Sequence, residues 1–208
     1  MNPLAFPTLV LWCLGAFLCG SIPFGLVLVQ LAGKGDVRAH GSGNIGATNV
    51  SRVGGKALGI VTLLLDILKG FLPVFMGRQL GLGDSTLSLV ALFAVLGHMF
   101  TPWLKFQGGK GVATALGVAL AFRAAMVLPA LGVFILLLLV FRYVSLGSIL
   151  GAAVLPVSLA WLGAKPVVLL LWADIALLVI AKHHENIRRL WQGTESPLWG
   201  AKKEDAHG

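Results

Sequence analysis

Charged residues are scarce in this chain. Only 12% of its 208 residues are charged and 57% are hydrophobic, whereas a typical soluble domain is about 25% charged. The mean hydropathy is +0.91. This composition argues against a soluble domain and predicts a single helical domain in a membrane. The net charge of +8 then indicates basic cytoplasmic loops beside anionic lipids, and we expect no nucleic-acid partner.

Carboxylates are rarer still, with only eight aspartates and glutamates in the chain, all of them scattered. A metal-dependent lipid phosphotransferase would need several clustered aspartates to hold magnesium. In the core of the chain, the loops predicted below to face the cytoplasm offer only Asp36. We therefore expect neither a metal nor another cofactor.

Several catalytic signatures are also absent. Cys13 and Cys19 lie in one apolar segment, which predicts buried thiols rather than a disulfide or a nucleophile. There is no G-x-S-x-G nucleophile elbow and no Cys/His spacing typical of zinc. An H-x-x-x-x-D acyltransferase signature is missing too, since the fifth residue after four of the histidines is Ile45, Trp103, Arg188 or Arg189.

Long apolar stretches dominate what is present. Since about 20 mostly apolar residues cross a bilayer as a helix, six stretches are candidate spans: 4–31, 56–76, 85–100, 124–141, 146–162 and 167–181. A seventh stretch, 112–122, is apolar but short. It fits either a short span or a re-entrant segment.

The distribution of basic residues decides between these two interpretations. With seven spans and the N-terminus outside, twelve basic residues fall inside and only Arg78, Arg123 and Lys165 fall outside, with Lys69 within a span. If residues 112–122 do not cross, the bias nearly vanishes. The positive-inside rule therefore predicts an all-α polytopic bundle of seven transmembrane helices, with the C-terminus cytoplasmic. We expect one membrane domain over residues 1–193 and a flexible polar tail over 194–208.

The first of three polar segments is the loop between the first two spans, which contains "GSGNIGATN" at residues 41–49. Glycines allow backbone N–H groups to approach an anion closely, and Arg38 and Arg52 can supply charge. An ordinary turn between two spans is the alternative. The linker is about 20 residues long, whereas a turn needs two to five, and this length favours a functional loop.

The second segment is "FQGGKGVAT" at residues 106–114, where three glycines surround Lys110 before an apolar helix. This pattern is typical of a phosphate site at a helix N-terminus. It is not a Walker A loop, because Gly111 follows the lysine where that motif needs Ser or Thr. A flexible loop with a lysine at the headgroups is the alternative.

The third segment, "KHHENIRRLWQG" at residues 182–193, follows the last span. His183 and Asn186 are three residues apart and share a helix face. Taken alone, the segment fits a basic amphipathic anchor equally well, but two phosphate-like loops on the same side favour a functional role. Asp66 and Lys69 lie within a span, where an ion pair indicates either function or mutual neutralisation.

Together, "SIPFG", "GSGNIGATN", "GGKGVAT" and "HHENIRRLWQG" resemble the bacterial acyl-phosphate:glycerol-3-phosphate acyltransferases, the PlsY family. The resemblance covers nearly the whole chain and keeps the order of the motifs. It implies a seven-helix bundle in the bacterial inner membrane with its active site on the cytoplasmic side. It also implies acyl transfer from acyl phosphate to the 1-hydroxyl of glycerol 3-phosphate, giving lysophosphatidic acid and phosphate, the first step of phospholipid synthesis.

The resemblance also suggests the site residues. We expect a catalytic set of Ser42, Arg52, Lys110, His183 and Asn186. We expect a substrate-binding set of Gly41, Gly43, Asn44, Gly46, Thr48, Asn49, Gly108, Gly109, Gly111, Thr114 and Ser145. The partners are then acyl phosphate, glycerol 3-phosphate and membrane lipids. The proton acceptor is either His183 or the leaving phosphate.

A transporter or channel for an anionic solute is the competing function. Seven short spans with polar loops would permit it, and Asp66 and Lys69 favour it. Against it, the sequence contains no recognisable inverted repeat, which many transporters have, and the polar groups cluster on one predicted side. A structural membrane anchor would not need the glycine-rich loops.

Overall fold

The structure, a computed structural model, describes residues 6–198. Its regular elements in this range are helices. The α-helices are α1 (Phe6–Ser21), α2 (Phe24–Leu31), α3 (Ala47–Gly54), α4 (Lys56–Gln79), α5 (Asp84–Met99), α6 (Val112–Arg123), α7 (Val127–Phe141), α8 (Val144–Trp161), α9 (Pro166–Ala181) and α10 (His184–Trp191). Short 3₁₀ turns occupy Val37–Ala39, Pro102–Leu104 and Ala124–Met126.

Five helical segments of the described chain are long and apolar enough to cross a membrane. A sixth joins them if α9 and α10, which meet at a bend of 56°, are taken together. The prediction of an all-helical polytopic membrane protein is therefore confirmed. The count differs from seven because Val112–Phe141 forms one apolar stretch of 30 residues.

The predicted span at 4–31 is broken at Ser21–Pro23, where the sequence "GSIPFG" predicts a break or a groove in the span. Helix α1 ends at Ser21 and α2 begins at Phe24, because Pro23 has no N–H to donate and its ring obstructs the preceding turn. The predicted start of this span at residue 4 lies outside the described residues.

Hydrogen bonds near the ends of Val112–Phe141 show that this stretch is not one straight helix. Lys110, just before α6, donates to Asn186 Oδ1, and Asn186 Nδ2 donates to Glu195 Oε1 at 2.7 Å. Ser145, in the first turn of α8, donates to the same carboxylate oxygen at 2.6 Å. Both ends of the stretch therefore lie beside one cluster of side chains.

A straight helix of 30 residues would separate its ends by about 45 Å, far more than such a cluster spans. The chain instead turns back at Ala124–Met126. Arg123 marks the turn, with extended backbone angles and a side chain that donates to Leu162 O at the far end of α8. Helices α6 and α7 thus run away from the cluster and return to it.

Close helix contacts hold the bundle together. A Cβ atom at Gly117 of α6 would lie 2.0 Å from Ile67 O of α4, and one at Gly97 of α5 would lie 2.1 Å from Phe17 O of α1. Small residues allow such approach, and membrane helices gain van der Waals packing from it. The largest buried cluster, which includes Val90, Phe122 and Trp172, lies among these helices.

The C-terminal segment continues past the predicted domain end at residue 193. Leu198 N donates to Arg142 O at 2.8 Å, and the Glu195 side chain bonds to three residues of the bundle. The described part of the predicted flexible tail thus lies against α8 and α10. The rest of that predicted tail, residues 199–208, lies outside the described residues.

Candidate active site

The first polar loop is anchored by its own small apolar core. Val37 and Ile45, which belong to the loop, are buried against Leu26 and Val29 of α2 and Val50 of α3. Lys34 Nζ also donates to Gly54 O at 2.8 Å. A long loop with buried apolar side chains is held in one shape, so its polar groups have fixed positions.

Asn49 organises the turn within this loop. Its Nδ2 lies within hydrogen-bond distance of the carbonyl oxygens of Val37, His40 and Asn44, at 2.9–3.1 Å, and its Oδ1 accepts from Ser42 N at 2.9 Å. Both ends of the amide are therefore engaged within the loop. The sequence predicts substrate binding for Asn49, whereas these bonds favour a role in shaping the loop.

Three other predicted binding residues also build the turn. Gly41 has φ +62°, and a Cβ there would lie 2.2 Å from Asn49 Oδ1, so only glycine fits. Gly43 also has positive φ, at +67°. Asn44 Oδ1 accepts from Gly46 N at 2.9 Å, a local side-chain turn of the kind that Asn favours.

The groups of this loop that point outward are Ser42 and Arg52, both exposed, with Thr48 partly buried on α3. Arg38, the other cation predicted to bind phosphate, is paired with Asp36 at 2.6 Å. Hydrogen bonds from Arg38 lower the pKa of that carboxyl. Because Arg38 is already paired with Asp36, Arg52 is the better placed of the two arginines to bind an anion.

The glycine-rich loop before α6 uses its N–H groups differently from the prediction. Gly108 N donates to Met99 O and Gly109 N donates to His98 O, each at 3.1 Å. A Cβ at Gly109 would lie 2.1 Å from His98 Nε2. These two N–H groups are already bonded within the chain, so they are not free to hold a phosphate as the sequence analysis expects; the glycines allow close packing instead.

The anion donors of this loop are therefore Lys110 and the N-terminus of α6. Gly111 precedes α6 with φ +81°, and the first N–H groups of a helix have no intrahelical acceptor. Thr114, in the first turn, is fully buried, and its Oγ1 has no hydrogen-bond partner among residues 6–198. Burial lowers the pKa of Lys110, and the charges of Arg189 and Arg52 lower it further.

His183 lies at the junction of α9 and α10. Its Nδ1 is 2.7 Å from Val179 O, and a carbonyl can only accept, so in the neutral ring Nδ1 carries the proton and Nε2 the lone pair. Burial lowers the pKa of His183 to about 4. The ring is therefore a neutral hydrogen-bond acceptor at physiological pH.

A hydrogen-bonded cluster joins the second and third polar segments. Lys110 donates to Asn186 Oδ1, while Asn186, Ser145 and Arg189 all donate to the Glu195 carboxylate at 2.6–2.7 Å. The structure thus brings together Lys110, Ser145 and Asn186 as predicted, with His183 one helical turn before Asn186. Arg52 is near enough for its charge to affect Lys110.

Glu195 is the central residue that sequence reasoning missed. Burial opposes its ionisation, but hydrogen bonds from Ser145, Asn186 and Arg189 outweigh burial and lower its pKa. It follows the end of α10 in a polar stretch without helical periodicity, so no local pattern marks it. Its only signal is that it is one of eight carboxylates in a basic chain.

The three polar segments fall within a stretch of the chain that matches a known protein family. Residues 10–193 match the model of the family described as glycerol-3-phosphate acyltransferase. That range includes all three polar segments and nearly all of the described helices. The chain belongs to this family.

Curated relatives and solved structures agree with this assignment. Glycerol-3-phosphate acyltransferases of Trichlorobacter lovleyi and Geobacter sulfurreducens are 54% and 51% identical to the chain, covering 89% and 87% of it and 95% and 93% of their own lengths. The fold is similar to PlsY (YgiH), an integral membrane glycerol 3-phosphate acyltransferase, in its glycerol 3-phosphate form. That similarity has a TM-score of 0.88 at 41% identity and covers 93% of this chain and 96% of that chain.

A second structure of PlsY (YgiH), in a lysophosphatidic acid form, has a TM-score of 0.84 and 40% identity, covering 91% of this chain and 95% of that chain. The family predicted from the four motifs is therefore confirmed. The roles of individual residues within the family's site stay predictions.

Proposed function

We propose that the protein transfers a fatty acyl group from acyl phosphate to the 1-hydroxyl of glycerol 3-phosphate, releasing lysophosphatidic acid and inorganic phosphate. Membership in the glycerol-3-phosphate acyltransferase family supports this activity. PlsY (YgiH) has been solved in forms with glycerol 3-phosphate and lysophosphatidic acid, which are the acceptor and product of this reaction.

The observation that carries the proposal is the Lys110–Asn186–Glu195 cluster, because it joins a phosphate-type loop to the His183 junction. Lys110 and the N-terminus of α6 hold one phosphate, and Ser42 and Arg52 hold the other. His183 and Asn186 orient the glycerol backbone. Positioning of this kind lowers a bimolecular barrier by about 7–11 kcal/mol.

The chemical step needs no nucleophile from the protein, since acyl phosphate is already an activated mixed anhydride. The glycerol 1-hydroxyl oxygen attacks the acyl carbon, the carbon–oxygen bond to phosphate breaks, and the hydroxyl proton must find an acceptor. A His183 with a pKa of about 4 is a weaker base than a phosphate, whose second pKa is about 6. The leaving phosphate therefore takes the proton, and His183 Nε2 accepts a hydrogen bond from a glycerol hydroxyl.

Release of inorganic phosphate from acyl phosphate by the purified protein in detergent tests this proposal. Release should require glycerol 3-phosphate and should fall at least about 100-fold in Lys110→Ala, as expected when a charged group that binds the reacting phosphate is lost. Lys165→Ala, which removes an exposed lysine at the start of α9, is the matched control. Release that is independent of glycerol 3-phosphate, or unchanged in Lys110→Ala, would contradict the proposal.

The topology that fits this function has seven crossings, an outside N-terminus and the site on the cytoplasmic side of the bacterial inner membrane. It is supported by the return of α6 and α7 to one face and by the basic residues on that face. Cysteines placed at Lys105 and Lys165, in a protein lacking Cys13 and Cys19, test it. An impermeant maleimide applied to whole cells should label only the cysteine at position 165, and labelling at position 105 would contradict this orientation.

A further inference from the structure

A buried ion pair lies within the helix bundle, between α4 and its neighbours α1 and α5. Asp66 and Lys69 of α4 are 2–3% exposed, and Asp66 Oδ1 lies 2.7 Å from Lys69 Nζ. Charged side chains buried within a membrane protein are costly, and most of them are paired or otherwise compensated. Neither residue has a part in the reaction described above.

On one side, the pair contacts the break between α1 and α2. Lys69 Nζ donates to Ile22 O at 2.7 Å and lies 5.6 Å from the centre of the Phe24 ring. Helix α2 leads directly into the first polar loop, and its Leu26 and Val29 form the small core that anchors that loop. Lys69 therefore holds the start of α2, the helix whose other end leads into the Ser42 loop.

On the other side, the pair faces His98, the penultimate residue of α5. His98 Nδ1 lies 3.8 Å from Asp66 Oδ1, and His98 Nδ1 has no hydrogen-bond partner among residues 6–198. His98 O accepts the N–H of Gly109, and the imidazole packs against the same glycine. The position of His98 thus sets the position of the loop that carries Lys110.

We propose that Asp66, Lys69 and His98 form a buried polar strut that holds the Ser42 loop and the Lys110 loop at a fixed separation. The three are positioning residues and contact no substrate. The inference rests on the proposed function, in which each loop binds one phosphate, because two reacting groups held by different loops react only if the loops keep their spacing.

The test removes both charges at once with the double variant Asp66→Leu, Lys69→Met. A single substitution would leave an uncompensated buried charge and risk unfolding, whereas apolar replacement of a whole buried pair is often neutral for stability. Two quantities are measured in detergent: steady-state kinetics, and amide hydrogen exchange of residues 33–46 and 105–111. Asp174→Leu is the control, since it removes another carboxylate from a membrane helix, one that is exposed on α9.

The double variant should fold and bind phosphate through Lys110 and Arg52, but kcat should fall by about 10- to 100-fold, more than KM rises, because the two loops are misaligned. Amide exchange should become faster in both loops together. The Asp174→Leu control should change neither quantity.

A folded double variant with unchanged exchange in both loops would overturn the strut, whatever its turnover. Accelerated exchange in only one loop would also overturn it. If both loops exchange faster while the unmodified protein releases no phosphate in the presence of glycerol 3-phosphate, then the strut stands and the proposed function fails.

Discussion

Lys110 donates a hydrogen bond to Asn186 across 76 positions of the sequence. The contact joins the loop before α6 to the first turn of α10. Asn186 in turn donates a second hydrogen bond, from Nδ2, to Glu195. Asn186 thus lies between the Lys110 ammonium and the Glu195 carboxylate, which would otherwise pair directly with each other. The lysine keeps its charge available for a phosphate because an amide, rather than the carboxylate itself, is its immediate neighbour.

The first prediction concerns Asn186. Asn186→Ala should lower kcat/KM by about 10- to 100-fold, because two partly buried groups, Lys110 and Glu195, lose their bridging partner. Asn186→Asp should be worse, since it places a second carboxylate at hydrogen-bond distance from Glu195 and introduces like-charge repulsion. Steady-state kinetics of the two variants check the order. Gln192→Ala, at the exposed end of α10, should leave kcat/KM unchanged, and equal defects in the two Asn186 variants would contradict the predicted contact with Glu195.

The family and the three polar segments could be predicted from the sequence because they depend on local patterns. Apolar length predicts spans, and glycines beside a lysine predict an anion loop. The hydrogen bonds of Gly108 and Gly109 could not be predicted in this way. Their acceptors, the carbonyls of Met99 and His98, belong to a preceding helix whose path is set only by tertiary packing. The break at Pro23 also follows from the sequence, because "GSIPFG" predicts a break or groove in the first span. Proline alone does not decide such a break, since Pro73 lies within α4 and Pro156 within α8.

Glu195 and Asn49 show the limit of local patterns more clearly. Nothing around Glu195 distinguishes it from a solvated surface carboxylate, and its role arises from three donors on α8 and α10. Asn49 is a polar residue in a glycine-rich loop, as a ligand-binding residue would be, yet both the nitrogen and the oxygen of its side-chain amide are hydrogen-bonded within the loop. Whether a polar group faces inward or outward depends on the fold of the whole loop, which a single sequence does not contain.

The second prediction separates two glutamates that contact the same arginine. Glu195 Oε2 lies 2.7 Å from Arg189 and its side chain is 8% exposed, while Glu185 lies 3.8 Å from Arg189 and is 65% exposed. Glu195→Ala should lower the free energy of unfolding by about 1–3 kcal/mol and reduce turnover, because three donors lose their acceptor. Glu185→Ala should cost no more than about 0.5 kcal/mol, as is usual for an exposed pair.

Thermal unfolding in detergent measures the stability of the Glu195→Ala and Glu185→Ala variants, and phosphate release measures their turnover. Glu195→Gln keeps an acceptor oxygen for Ser145 and Asn186 but loses the charge that faces Arg189. It should therefore fall between the unmodified protein and Glu195→Ala in both assays. A Glu195→Ala protein as stable and active as Glu185→Ala would show that the cluster does not form in the working protein.

The third prediction concerns pH. His183 has a pKa of about 4 in the folded protein against about 6.5 when unfolded, so the unfolded state binds the proton more readily between these values. Stability from this residue is therefore fully present above pH 6.5 and is lost as the pH falls towards 4, by about 3 kcal/mol in all. The lowered pKa of Glu195 acts in the same direction, below its unfolded value of about 4.5.

His183→Asn should flatten the dependence of unfolding temperature on pH between 6.5 and 4, because the new side chain does not titrate. The matched control is His184→Asn: its ring also contacts a carbonyl, Ala181 O at 3.1 Å, but the residue is exposed. The control should keep the slope of the unmodified protein. If His183→Asn keeps the full slope as well, then His183 is not the group that confers the acid sensitivity.

The fourth prediction tests how tightly the Lys110 loop is packed. Gly109→Ala would place a Cβ 2.1 Å from His98 Nε2, so either the loop or the imidazole must move by more than 1 Å, and a displacement of that size at a reacting group costs about 100-fold in rate. Gly132→Ala in α7 is the control, because a Cβ there meets nothing within 4 Å and alanine favours the helix. Kinetics with glycerol 3-phosphate varied should show a much lower kcat/KM for Gly109→Ala and no change for Gly132→Ala. A fully active Gly109→Ala protein would mean that the loop has room to adjust and that the position of Lys110 does not depend on the contact between Gly109 and His98.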